Sequence, residues 1–149
     1  MPFHLTVRYL LSYRLWALLL LLVAAAPLLT AQADEIPANY RPLLTAAETM
    51  LESKRYAQAV AQAEAAYRAG EEARLPLLQA AADQVRGLAY VRDPQAEALE
   101  RVTGIKALRR AALTYQQLGR EEEVATVLGQ ISAETGRKEE LPRLRDARP

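Results

Sequence analysis

From Tyr40 to Thr135 apolar residues recur at steps of three and four, and this period confines the segment to helix. In residues 105–118 the spacing is kept by Ile105, Leu108, Ala112, Tyr115 and Leu118; in 121–135 it is kept by Val124, Val127 or Leu128, and Ile131. No run of Val, Ile, Thr and Tyr alternates with period two, so strands are not expected. The segment is rich in Ala, Leu, Gln, Glu and Arg, which lose little freedom in a helix. Gly70, Arg92-Asp93-Pro94, Thr103-Gly104, Gly119 and Gly136 read as helix ends. They divide the segment into about six helices, over 41–53, 56–69, 74–91, 94–103, 105–118 and 121–135. Asp93-Pro94 reads as a helix start, an N-cap acceptor followed by proline at the first helical position. The fold class is therefore all-α, with short connections making successive helices antiparallel.

The first 33 residues have a different character. Arg8 and Arg14 are the only full charges ahead of an unbroken apolar run from Leu15 to Ala26, and Ala31-Gln32-Ala33 follows before Asp34. A positive flank, a 12-residue apolar stretch and small residues at −3 and −1 make a secretory signal peptide, cut between Ala33 and Asp34. The alternative is an uncleaved inner-membrane anchor over residues 15–29. At about 1.5 Å per residue that span is short for a hydrocarbon core of roughly 30 Å, and Pro27 weakens it. In either case residues 34–149 are expected to be exported, as a periplasmic or secreted protein. The Ala- and Leu-rich leader and the absence of cysteine suit a bacterial periplasm.

Cleavage changes what chemistry is open to the chain. The remaining 116 residues carry 17 Lys+Arg against 18 Asp+Glu, a net charge of −1. Interleaved charges near neutrality give no electrostatic footprint for nucleic acid. With no cysteine there is no disulfide, so packing alone must hold the fold. His4, Phe3 and Trp16 leave with the leader, so the remainder has no His, Cys, Trp or Phe. Ser–His and Cys–His nucleophile pairs cannot be built, and zinc, copper and haem lose their usual ligands. No catalytic, cofactor-binding or metal-binding residue is expected, and the chain does not read as an enzyme.

Two stretches resemble each other. LLTAAETMLESKRYAQAVAQAEAAY contains Ala46-Ala47, Met50, Arg55-Tyr56, Ala59-Val60 and Ala66-Tyr67. LRRAALTYQQLGREEEVATVLGQI contains Ala111-Ala112, Tyr115, Gly119-Arg120, Val124-Ala125 and Ile131. Each has a small pair on a first helix, a bulky residue three on, a tight turn, and small and apolar residues on a second helix. This resembles the tetratricopeptide repeat (TPR), whose helical hairpins are 34 residues long. Aligned on that pattern, residues 34–39 are a short linker and 40–138 a TPR-like domain. Its repeats are about 40–73, a degenerate 74–104, and 105–138; residues 139–149 are a charged tail or short capping turn. Glu121 stands where the pattern has an aromatic, and Val124 where it has a small residue.

The resemblance implies a short right-handed solenoid whose first helices line a concave face that binds a partner peptide or protein. On the first helix those positions are Arg41, Leu44, Glu48 and Leu51; on residues 105–118 they are Lys106, Arg109, Leu113 and Gln116. Lys106, Arg109 and Arg110 are candidates to grip an acidic segment or a C-terminal carboxylate. The expected function is an adaptor or assembly factor for another cell-envelope protein. Its partner is a protein or peptide in the exported compartment, and it meets the membrane only through an uncleaved N-terminus. The alternatives are a structural accessory subunit of a larger envelope complex and, more weakly, a small-ligand or carbohydrate binder, which would want aromatic platforms.

Overall fold

A computed structural model describes residues 35–136. The expected leader over 1–33, its cleavage point, and the tail at 139–149 lie outside the described residues. Within them the chain forms five helices and no strand: α1 (Arg41–Glu52), α2 (Tyr56–Glu72), α3 (Pro76–Arg92), α4 (Ala98–Gln117) and α5 (Glu121–Thr135). No helix among them is long and apolar enough to cross a membrane.

There are five helices instead of six because Thr103-Gly104 does not end one. α4 runs straight through, and Gly104 is buried against Gly87 of α3. A Cβ on Gly104 would lie 2.8 Å from the Gly87 carbonyl oxygen, and one on Gly87 would lie 2.8 Å from the Gly104 carbonyl oxygen. This glycine pair lets two backbones approach more closely than side chains permit. Gly70 likewise does not end α2, which continues to Glu72. Its carbonyl accepts from the Leu75 N–H at 2.8 Å and from Gln79 Nε2 at 3.1 Å.

Asp93-Pro94 is not a helix start either. Asp93 Oδ1 accepts the Gln95 N–H at 2.9 Å, which closes a local turn, and α4 begins only at Ala98. There Glu97 and Glu100 form a reciprocal capping box, the Glu97 N–H donating to Glu100 Oε2 at 2.8 Å. Arg101 braces the loop by donating to the Ala96 and Asp93 carbonyls.

Three of the four connections share one conformation. Lys54, Arg74 and Gly119 take left-handed φ values of 58°, 55° and 72°. The residue after each donates five back, Arg55 to Met50, Leu75 to Gly70 and Arg120 to Tyr115, at 2.8–2.9 Å. These are Schellman turns, which satisfy the last carbonyls of one helix while reversing the chain. Glycine occupies the left-handed position only in the third.

Packing follows from the small residues. Ala47, Ala59, Ala63, Ala66, Ala111 and Ala112 are buried where helices cross, and such short side chains permit interaxial distances of about 8–10 Å. Each helix packs on the next, and α3 also touches both α1 and α5. α3 is therefore central and buried around most of its circumference, from Leu77 and Leu78 to Leu88 and Val91. Leu108, Tyr115, Val127 and Ile131 complete the core on the α4–α5 side. At the other end Ile36 and Tyr40 pack onto the core ahead of α1, with the Tyr40 N–H donating to the Pro37 carbonyl.

Candidate functional site

Two grooves and one buried charge cluster carry the polar chemistry of the described residues. The first groove, about 350 Å³, lies between α1 and α3. Leu51, Val85 and Leu88 give it apolar lining, Glu48 and Glu52 stand on the α1 side, and Arg92 closes one end. Tyr115 reaches in from α4, its hydroxyl donating to Gln84 Oε1 at 3.1 Å, while Gln84 Nε2 donates to Gln130 Oε1 of α5 at 3.0 Å. Arg92 is held by Glu134 of α5 at 2.9 Å. Burial pushes the Glu48 carboxyl up from its ordinary pKa, and the neighbouring Glu52 charge adds to this. Burial also pushes the Tyr115 phenol up to about 12.

The second groove, about 310 Å³, lies between α4, the end of α3 and the last turn of α5. Val91, Val102 and Ile105 line it, Arg101, Lys106 and Arg109 supply three cations, and Glu134 and Thr135 form the far wall. A wider depression of about 700 Å³ borders the α1–α2 turn and the α3–α4 loop, lined by Lys54, Arg55, Tyr56 and Arg92 among others.

The charge cluster centres on Asp83 of α3, only 1% exposed. Arg86 Nη2 donates to its Oδ1 at 2.6 Å and Arg110 Nη2 to the same oxygen at 2.7 Å, while Arg110 Nε donates to Oδ2. Both guanidiniums stand over the Tyr67 ring of α2, 5.4 Å and 5.2 Å from its centroid. A buried carboxylate needs this much compensation, since leaving it unpaired costs several kcal/mol (about 3–5). The hydrogen bond to Asp83 is the main reason that the Arg110 pKa is raised.

The sequence-derived binding residues divide between these places. Glu48 and Leu51 line the first groove, and Lys106 and Arg109 the second. Arg41 is exposed and its Nε donates to the Ile36 carbonyl at 3.1 Å, tying down the segment before α1. Leu44 packs inward against the Ala47, Ala63 and Val85 cluster. Leu113 is exposed and Gln116 half-buried on α4. The expected single face across α1 and residues 105–118 is thus split. The reason is the fusion of two expected helices into α4, which makes residues 105–118 the partner of α3 instead of the opening helix of a new hairpin. Arg110 also differs from expectation: two of its guanidinium nitrogens are engaged by Asp83.

Gln84, Arg86 and Asp83 were not singled out from the sequence. The available signal was an acid within the otherwise apolar, small-residue run of α3, three residues before an arginine. No group of three or more His, Cys, Asp or Glu placed to hold a metal occurs among the described residues. No protein-family model, curated protein or solved structure matches the chain.

Proposed function

We propose that this chain is an exported, non-catalytic interaction module that holds a peptide or helix of another cell-envelope protein in the groove between α1 and α3. The observation that carries this reading is the make-up of that groove: Leu51, Val85 and Leu88 offer apolar contact, and Glu48 and Glu52 offer charge beside it. A segment with apolar side chains and a lysine or arginine fits it. Its cation would relieve the Glu48–Glu52 repulsion that raises the Glu48 pKa.

On this reading the helices form a short TPR-like right-handed solenoid. Support comes from the repeated Schellman turns at Lys54, Arg74 and Gly119, and from the alanines at the crossings. The layering of α1, α3 and α5, with α3 touching both, supports it as well. Export is proposed from the leader alone.

A photo-cross-linking amino acid at Leu51 or Ala81 tests the reading, with Gly129 on the exposed side of α5 as control. The groove positions are expected to trap one common protein in the exported compartment, and Gly129 none. Glu48→Lys/Glu52→Lys should abolish trapping without lowering the melting temperature. Trapping that is absent, or the same from all three positions, would sink the proposal. Sequencing the exported protein from its N-terminus should begin at Asp34; an intact Met1 would favour the anchor.

A further inference from the structure

α4 begins with apolar side chains that the described residues leave open. Leu99 is 75% exposed and Val102 50%. They stand three apart, and Lys106 and Arg109 continue the same helical face four and seven residues beyond Val102. Val102 lines the second groove with Ile105 and Val91, under the cations Arg101, Lys106 and Arg109.

The far wall of that groove is where α5 ends. Glu134 and Thr135 line it, and Gly136 turns the chain out of the helix in a left-handed conformation, φ 65°. Residue 137 therefore starts at the edge of the groove. The sequence from there reads Arg-Lys-Glu-Glu-Leu-Pro-Arg-Leu: two adjacent acids, then two leucines three apart. Leu141 and Leu144 are five and eight residues beyond Gly136, a reach of roughly 17 Å and 27 Å at full extension. The stretch of α4 from Leu99 to Arg109 is about 15 Å long at 1.5 Å per residue.

We propose that residues 137–149 of this same chain occupy the second groove, Leu141 and Leu144 covering Val102 and Ile105 while Glu139 and Glu140 face Arg101, Lys106 and Arg109. The composition is complementary in both respects, apolar to apolar and acid to base. Pro142 holds Leu141 in an extended conformation, and in a polyproline-type strand with three residues per turn Leu141 and Leu144 fall on one edge. Tethering favours this occupant over any partner in solution, because a short linker sets an effective concentration in the millimolar range. Lys106 and Arg109 then hold the chain's own tail, and an outside acidic segment reaches them only by displacing it. The α1–α3 groove is a separate place, so this inference does not depend on the function proposed for it.

The chain has no cysteine, so paired cysteine variants of the purified full chain report on the contact directly. Val102→Cys is combined with Leu141→Cys or with Leu144→Cys, and Leu51→Cys with the same tail positions serves as control. Mild oxidation should close an intramolecular disulfide from Val102→Cys to at least one tail position, about tenfold faster than from Leu51→Cys, since the bond needs Cα atoms within about 7 Å. Lys106→Glu/Arg109→Glu in the same background should slow closure several-fold. Equal rates from the two grooves, or no intramolecular bond at Val102→Cys, would overturn the proposal. A disulfide-linked dimer in its place would assign the groove to a second copy and overturn it too.

Discussion

At Gly104 a hydrogen stands where any other residue would put a carbon 2.8 Å from the Gly87 carbonyl oxygen, the Tyr90 Cβ and a Val91 methyl. Glycine inside a helix costs about 1 kcal/mol relative to alanine, so its use here reflects that close approach. Gly129 of α5 offers the contrast, with nothing within 4 Å of a Cβ and no positive φ. Gly129→Ala should stabilise the fold by about 0.5–1 kcal/mol. Gly104→Ala should destabilise it, because overpacking of about 1–3 kcal/mol outweighs the gain in helix propensity. Thermal melts of the two variants should move in opposite directions, and a rise in both would mean that α3 and α4 can separate without loss.

Among the elements, α3 decides most. It is the only helix packed on three others besides its own turns, and its one buried charge, Asp83, takes guanidinium donors from both α3 and α4 beside a ring from α2. Asp83→Asn leaves two cations without their counter-charge. The Arg86 side chain is only 18% exposed, whereas that of Arg110 is 51% exposed and can regain water. The loss should therefore sit near the low end for a broken buried pair, about 3 kcal/mol. Arg110→Met should cost clearly less, because Arg86 still answers Asp83. Denaturant unfolding of both variants checks the order, and the reverse order would show that Arg110 is the main partner. The periodicity in the sequence placed α1, α2, α3 and α5 closely, but it could not tell a helix end from a glycine contact. Gly70 and Gly104 look like Gly119 and Gly136 in one dimension. The difference lies in the neighbouring helix, Gln79 for one and Gly87 for the other.

At the scale of the whole molecule, Tyr115 joins three helices: its hydroxyl donates to Gln84 of α3, which in turn donates to Gln130 of α5. Burial raises its pKa to about 12, from an ordinary value near 10. The folded state thus holds the proton more tightly than the unfolded chain. That contribution is complete below about pH 10 and is lost as pH rises toward 12, so stability should fall by about 2 kcal/mol across that window. Tyr115→Phe should remove most of this alkaline slope while lowering stability at neutral pH by about 1 kcal/mol through the lost hydrogen bond. Tyr90, whose pKa burial also raises, leaves a smaller slope behind. Urea melts at pH 8, 10 and 11.5 separate the two effects, and an unchanged slope in the variant would place the titration elsewhere.

The sequence by itself determined the fold class, most helix limits, the alanines that lie at crossings, and the absence of His and Cys after residue 33. All of these depend on local period or on composition, which a linear chain displays in full. Only the tertiary structure decided that two expected helices are one, that Arg110 belongs to Asp83, and that Glu48 and Leu51 share no groove with Lys106 and Arg109. Those outcomes depend on which helix lies beside which. A glycine or an arginine acquires its role from a neighbour that the chain brings near by folding, often 17 to 27 residues away.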